Sequence, residues 1–145
     1  MARAATGTRK KPVVNDEGYR TLAAFRHGLR QFLAFSEEAA RAAGLPPQQH
    51  QAILAIKGHA GGEAMSVGDL AEHLLVRHNS AVELVNRLVR ARLVTRVADK
   101  EDKRRVTLSL TAKAEKILAA LSAAHLAELR RSGPLLVELV ERIGD

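Results

Sequence analysis

A compact group of basic side chains between residues 77 and 105 is the part of this sequence with the clearest chemistry. It holds nine Lys or Arg against four Asp or Glu, an excess of five, in a chain of net charge +7. Guanidinium and ammonium groups bind phosphate oxygens, and guanidinium, amide and hydroxyl groups form hydrogen bonds to base edges. Residues 1–14 add four basic side chains and no acid, whereas the remainder has ten basic and twelve acidic residues. This distribution predicts a polyanionic partner that contacts one segment of the chain.

The other reactive side chains give no pattern for catalysis or for a resident metal ion or cofactor. The sequence has no cysteine, which excludes disulfide bonds and thiolate chemistry. Its six histidines, at positions 27, 50, 59, 73, 78 and 125, form no tight ligand motif. It contains no phosphate-binding loop or nucleophile elbow, and the acids of residues 99–102 alternate with lysine as in a charged turn. We therefore expect that the protein is not an enzyme and holds no metal or cofactor.

Apolar residues at three- and four-residue spacing predict two helices ahead of the basic segment. The first spans residues 16–42 and ends before Gly44, which suits the left-handed position after a helix. The second begins at Pro47, and we expect its inward face to hold His50, Ile53, Leu54 and Lys57. Residues 1–15 are basic and aperiodic, which favours a flexible arm.

Two further helices follow, separated by a short polar break. Ser66 and Asp69 form a capping-box pattern that predicts the start of a helix over residues 66–75. The next helix reaches about Ala91 and has a polar side. Ser80 and Glu83 form a second capping-box pattern, which leaves the first residue of this helix open by about two positions.

After this helix the apolar period changes from 3.6 to 2, which predicts a hairpin. Residues 94–98 and 103–110 are its strands, with Val106, Leu108 and Leu110 on one face and Arg105, Thr107 and Ser109 on the other. Thr111 then caps a long helix, which Gly133-Pro134 is expected to break before a last short one. The predicted fold is mainly α with a small β-hairpin wing, in the order of a winged helix-turn-helix.

Residues 45–120 resemble the MarR (multiple antibiotic resistance regulator) family of winged helix-turn-helix transcription regulators. The segment from Arg96 to Arg105 matches the family's wing pattern, Arg-x-x-Asp-x-x-Asp-x-Arg. The sequence departs from the family at Arg92 and Ala114, where glycine is common. Arg92 therefore implies either an uncommon backbone angle or a different turn.

The resemblance implies one MarR-like domain over residues 16–145 after an arm at residues 1–15. Its DNA-binding winged helix would cover about residues 45–111, with dimerisation helices at about 16–42 and 112–143. Such a protein is a repressor that binds a pseudo-palindromic operator on double-stranded DNA as a homodimer. A small ligand that binds between the dimerisation helices and the DNA-binding lobe would release it, and Phe25, Phe32, His50 and Leu54 are the candidates by position.

Family likeness and exposed chemistry together give the expected DNA contacts. In similar proteins the arginine that matches Arg104 enters the minor groove while the aspartate that matches Asp102 orients it, and the arginine that matches Arg87 contacts DNA. The full expected set is Arg77, His78, Asn79, Ser80, Arg87, Arg90, Arg96, Lys103, Arg104 and Arg105, with Asp102 orienting Arg104.

Other interpretations of the same residues stay open. Arg104 and Asp102 can form a simple surface ion pair, and residues 78–80 can act as turn or capping residues. A winged-helix module for protein partners, or an architectural DNA binder without sequence preference, would show a similar charge pattern. With no apolar run of membrane-spanning length and no signal peptide, a cytoplasmic protein is expected.

Overall fold

Residues 13–143 are described by a computed structural model; the basic stretch that ends at residue 12, which forms most of the expected arm, lies outside the described residues. Five helices and three strands form this part of the chain. They are α1 (Asp16–Ala42), α2 (Pro47–Lys57), β1 (Met65–Ser66), α3 (Val67–Leu74), α4 (His78–Arg90), β2 (Val94–Ala98), β3 (Val106–Leu110) and α5 (Ala112–Glu141), with a 3-10 turn at Ala60–Gly62. The predicted class, mainly α with a small antiparallel wing, is confirmed.

Local capping residues set several helix ends as the sequence predicts. Ser66 and Asp69 form the capping box of α3, with the two amide-to-oxygen distances at 3.1 and 3.0 Å. Thr111 Oγ1 accepts a hydrogen bond from the amide of Ala114 at 3.2 Å and so caps α5. Gly44 follows α1 with φ +80°, and the amide of Leu45 donates to the carbonyl of Ala40, which completes a left-handed helix end.

The core lies between α2, α3, α4, the sheet and the first half of α5. On α2 the buried residues are His50, Ala52, Ile53, Ala55 and Ile56. The prediction that Leu54 and Lys57 face inward is therefore wrong, because they are 46% and 57% exposed. At 100° per residue, positions 52, 53, 55 and 56 share one side of a helix and position 54 lies opposite them.

The wing is part of a three-stranded antiparallel sheet of order β1-β3-β2. The two-residue strand β1 was not predicted; it pairs Met65 with Leu108 and Ser66 with Thr107. Strand β3 begins at Val106, later than the predicted residue 103, because residues 102–105 belong to the turn. Thr107 is buried despite its place on the predicted polar face, and its hydroxyl donates to the carbonyl of Val97 at 3.2 Å.

Helix α5 continues through Gly133 and Pro134, so the predicted break there is wrong. An internal proline removes one backbone hydrogen bond and costs about 3 kcal/mol. Packing of α5 on α1 offsets this cost: a Cβ built on Gly28 would lie 2.6 Å from Leu136 Cδ2, so the helices approach closely beside the proline. Within residues 13–143 no helix is both long enough and apolar enough to span a membrane.

Candidate nucleic-acid interface

Helix α4 presents one polar face to solvent and packs the opposite face into the core. The buried residues are Ala81, Leu84, Val85 and Leu88. The exposed residues include Asn79, Ser80, Glu83, Asn86, Arg87 and Arg90. Since the buried side fixes the orientation of the helix, these polar side chains lie on the side of α4 that faces away from the core.

The N-terminus of α4 is open. Arg77 is its N-cap and forms no side-chain capping bond within the described residues. The helix begins at His78, so Ser80 lies in its first turn and the second capping box, which the sequence allowed, does not form. The amides of His78, Asn79 and Ser80 have no intrahelical partner by helix geometry, which leaves three donors at a positive helix end.

The turn between α3 and α4 depends on a strained leucine that the sequence analysis did not anticipate. Leu75 has φ 57° in the left-handed region, and its side chain is 92% exposed. The amide of Val76 donates to the carbonyl of Ala71 at 3.0 Å across this residue. The left-handed turn redirects the chain between the two helices.

Arg92 adopts the second left-handed angle among non-glycine residues of the described chain, φ 60°. It directly follows the end of α4, and the amide of Leu93 donates to the carbonyl of Leu88 at 2.9 Å. The Thr111 hydroxyl donates to the carbonyl of Arg92 at 2.7 Å. Of the two alternatives that the resemblance implied at Arg92, an uncommon backbone angle or a different turn, the structure has the uncommon angle.

Backbone and carboxylate contacts shape the wing turn, residues 99–105. The amide of Asp99 donates to the carbonyl of Arg105 at 2.9 Å, and the amide of Arg105 donates to the carbonyl of Asp102 at 3.0 Å. Asp102 Oδ1 accepts from the backbone amide of Arg104 at 3.0 Å. Asp102 therefore holds Arg104 through its main chain, while the Arg104 side chain is exposed at the tip.

Besides Arg90, whose Nε donates to the carbonyl of Asn86 in its own helix at 3.4 Å, two of the expected DNA contacts are engaged with other segments of the protein. Arg96, on β2, donates a hydrogen bond to Asn86 Oδ1 of α4. Arg105 Nη2 lies 3.3 Å from Asp69 Oδ2 at the start of α3. Neither guanidinium is directed freely toward solvent, in contrast to that of Arg104.

Only two of the four residues proposed for the ligand pocket lie beside the same neighbour. Phe32 and His50 both lie against His125 of α5, with ring centroids 6.0 and 4.9 Å from it. Phe25 is partly exposed on α1 and Leu54 is exposed on α2. A cavity of about 390 Å³ lies instead between the wing turn and residues 63–64, and none of the four lines it.

His125 and Ser36 lie beside Phe32 and His50, and both were missed by the sequence analysis. His125 Nε2 is 2.7 Å from Ser36 Oγ, and its Nδ1 is 2.6 Å from the carbonyl of Leu121. Ser36 and His125 are 89 positions apart, so no local pattern reports the contact. No group of three His, Asp or Glu side chains that could hold a metal occurs within residues 13–143.

A family model and several solved structures are similar to this chain. Residues 43–105 match the model of the MarR family. AbsC, a MarR family transcriptional regulator from Streptomyces coelicolor, is 18% identical with a TM-score of 0.72, over 92% of this chain and 94% of its own. Another MarR family transcription regulator is 22% identical with a TM-score of 0.72, over 88% of this chain and 83% of its own.

A third similar structure contains DNA. It is a point mutant of MepR from S. aureus bound to an oligodeoxyribonucleotide, 19% identical with a TM-score of 0.63, over 77% of this chain and 79% of its own. Comparison with curated protein sequences gives no match. The matched segment covers the turn before α2 through the wing turn, and the solved structures share the fold beyond it. On these grounds the DNA-binding lobe of the chain is similar to the MarR family, and the described chain has the fold of that family's winged helix-turn-helix regulators.

Proposed function

We propose that this chain is a sequence-specific DNA-binding repressor whose α4 lies in the major groove and whose wing enters the minor groove. One observation carries the proposal: the exposed polar face of α4 and the exposed wing tip are held by a single core. A helix of about 10–12 Å diameter fits the major groove, where base edges differ in their donors and acceptors. The MepR mutant structure with an oligodeoxyribonucleotide supports this use of the fold.

The proposed DNA contacts form one group on α4 and another on the wing. Asn79, Ser80 and Arg87 face outward from the first half and middle of α4 and are proposed to read bases or bind phosphates. The free amides of residues 78–80 suit a phosphate, since anions bind at helix N-termini. Arg77, His78 and Arg90 flank these groups. Lys103 and Arg104 carry the contribution of the wing, where negative potential in a narrow minor groove attracts arginine.

An exposed apolar face on α1 and α5 supports a homodimer. The large hydrophobic side chains exposed on these segments are Tyr19, Leu22, Leu29, Leu33, Leu126, Leu129, Leu135, Val137, Val140 and Ile143. Contiguous apolar surface of this kind is rare on a monomer and common at an obligate interface. A two-fold dimer would present two copies of α4 to a pseudo-palindromic site, about one helical turn apart.

The junction of α1, α2 and α5 supports release by a small ligand. His50 is 2% exposed, and its Nδ1 has no hydrogen-bond partner among the described residues. A buried polar atom without a partner is costly and is open to a ligand group. A ligand there would favour a dimer whose recognition helices are wrongly spaced for DNA. A dimer that spans two grooves would exclude other proteins from that DNA, which favours repression.

Selection from a randomised DNA pool with the full-length protein tests the proposal. The recovered site should be pseudo-palindromic, and its affinity should exceed that for scrambled DNA by about 10³-fold or more. Binding without sequence preference would instead indicate an architectural DNA binder. No binding to any DNA at low salt would favour a winged-helix module for acidic protein partners.

A further inference from the structure

The carboxylate of Asp69 contacts groups from three separate segments of the DNA-binding lobe. Its Oδ2 accepts a hydrogen bond from the amide of Ser66 at 3.0 Å. The same oxygen lies 3.3 Å from Arg105 Nη2 and 3.8 Å from His59 Nε2. A residue that caps α3 therefore also connects that helix to the wing and to the loop after α2.

Arg105 occupies the point where the wing turn joins the sheet. Its carbonyl accepts from the amide of Asp99, and the next residue, Val106, pairs with Ala98 as the last pair of the β2–β3 ladder. Any rotation at Arg105 would change the direction in which residues 99–104 leave the sheet. A contact that holds its side chain therefore limits the movement of the wing tip.

A second contact ties the other side of the sheet to α4. Arg96, on the edge strand β2, donates to Asn86 Oδ1 on the recognition helix. Asp69 lies three residues beyond Ser66, the last residue of the opposite edge strand β1. The sheet is thus connected at both edges to the two helices of the helix-turn-helix.

We propose that Arg105, held by Asp69, is a positioning residue that sets the distance between the wing tip and the reading face of α4, and that it is not a DNA ligand. This inference rests on the proposed function and deepens it. Two arginines next to each other in sequence would then have separate roles. Arg104 would contact DNA, and Arg105 would orient the wing tip that carries Arg104.

The charge state and exposure of the pair fit such a role. Hydrogen bonding from the Ser66 amide first, and the nearby Arg105 and His59 after it, lower the pKa of Asp69 below its usual value, although desolvation opposes the shift. Asp69 is therefore ionised wherever the protein is handled near neutral pH. The side chains of Arg105 and Asp69 are 44% and 32% exposed. A pair this exposed contributes little to stability, so its loss should free the wing without unfolding the lobe.

Two single variants and their double variant test the proposal. Asp69→Asn keeps an oxygen for the Ser66 amide and removes the charge, and Arg105→Gln removes the partner. In the free protein, hydrogen exchange of the wing amides that form turn bonds, such as those of Asp99 and Arg105, should become faster in both variants. Arg104→Gln, on the exposed tip, is the matched control and should leave that exchange unchanged.

DNA binding to the selected operator supplies the second readout. Asp69→Asn and Arg105→Gln should each weaken binding by about 2- to 5-fold, and the double variant by no more than the worse single variant. The salt slope should stay that of the wild type, whereas Arg104→Gln should lower it by about one. A slope lowered by one in Arg105→Gln with unchanged wing exchange would show a phosphate ligand and overturn the proposal, as would additive losses in the double variant.

The exchange and binding measurements distinguish failure of the positioning role of Arg105 from failure of the repressor proposal. If the wild type prefers no DNA sequence, the repressor proposal fails, whatever the exchange data show. If operator binding is specific but the exchange of the wing is equal in all variants, the repressor proposal stands and the positioning role of Arg105 fails.

Discussion

The imidazole rings of His50 in α2 and His125 in α5 lie 4.9 Å apart and are both buried, at 2% and 9% exposure. Burial first, and the charge of His125 second, lower the pKa of His50 below its ordinary value of 6.5. Phe32 and Phe35 of α1 pack edge-on against His125. The junction of three helices therefore contains a histidine that resists protonation in the folded state.

Stability should fall as the pH falls below about 6.5. The unfolded chain binds a proton at His50 near that pH, whereas the folded chain binds it only at lower pH. The stabilisation is therefore complete above pH 6.5 and is lost below it, by at most about 1.4 kcal/mol per pH unit from this group. Urea unfolding of the wild type and His50→Asn at pH 7.5, 6.5 and 5.5 measures the difference. Leu54→Ala, at an exposed position of the same helix, is the control and should keep the wild-type slope. An identical slope in His50→Asn would contradict the assignment.

Replacing Arg104 should reduce operator binding without affecting the fold. Arg104 is exposed at the wing tip and contributes no buried contact. Arg104→Ala should weaken operator binding by about 1–3 kcal/mol in a fluorescence anisotropy titration. Its thermal unfolding should match that of the wild type. Unchanged affinity in an intact dimer would exclude a role for this arginine in binding.

Removal of residues 1–14 should mainly flatten the salt dependence of DNA binding. This stretch carries four basic residues and no acid. Each lost phosphate contact lowers the slope of log affinity against log salt by about 0.9, so four contacts set the upper limit. Titration of both proteins at several salt concentrations between about 50 and 200 mM measures this slope. Equal slopes would show that the arm does not touch DNA.

Glycine should stabilise the chain at each of the two left-handed residues. Leu75 and Arg92 have φ 57° and 60°, and both side chains are exposed, so little packing is lost. Relief of roughly 1–2 kcal/mol of left-handed strain, less the added freedom of glycine in the unfolded chain, leaves a gain of about 0.5–1 kcal/mol. Denaturant unfolding of Leu75→Gly and Arg92→Gly checks this gain. Glu83→Gly, at an exposed position inside α4, should instead lose about 1 kcal/mol. A loss of stability at both left-handed positions would refute the strain.

A charge on the apolar face of α1 should dissociate the proposed dimer. Leu33 is 54% exposed on that face, whereas Leu54 is 46% exposed on α2 and provides a matched control. Leu33→Glu should raise the dissociation constant of the dimer by more than about tenfold, because the interface would bury an unpaired carboxylate. Sedimentation equilibrium measures both variants. If Leu33→Glu dimerises with the same affinity as the Leu54→Glu control, the dimer interface lies elsewhere.

Features that depend on neighbouring residues could be read from the sequence. The capping box of Ser66 and Asp69 and the end of α1 at Gly44 are each set by residues a few positions apart, whereas the backbone at Arg92 was suggested only by the family resemblance. The order of helices and strands follows from apolar periods of the same short range. These features together identify the winged helix and the face of α4.

Contacts between distant segments could not be predicted in this way. The continuity of α5 past Pro134 depends on packing against α1, and β1 exists only because β3 pairs with it. The contact of Arg105 with Asp69 spans 36 positions. Arg105 and Arg104 are equivalent by composition, and only the folded lobe distinguishes them.

Directed cleavage of operator DNA from α4 tests the central claim most directly. Because the chain has no cysteine, Ser80→Cys gives one attachment point for an iron chelate that cleaves nearby DNA. Glu38→Cys, on the exposed surface of α1, provides the control. We predict two cleavage clusters from Ser80→Cys, about one helical turn or 10 base pairs apart, and none from the control. Cleavage spread evenly along the DNA, or equal from both positions, would contradict a dimer that reads two major grooves through α4.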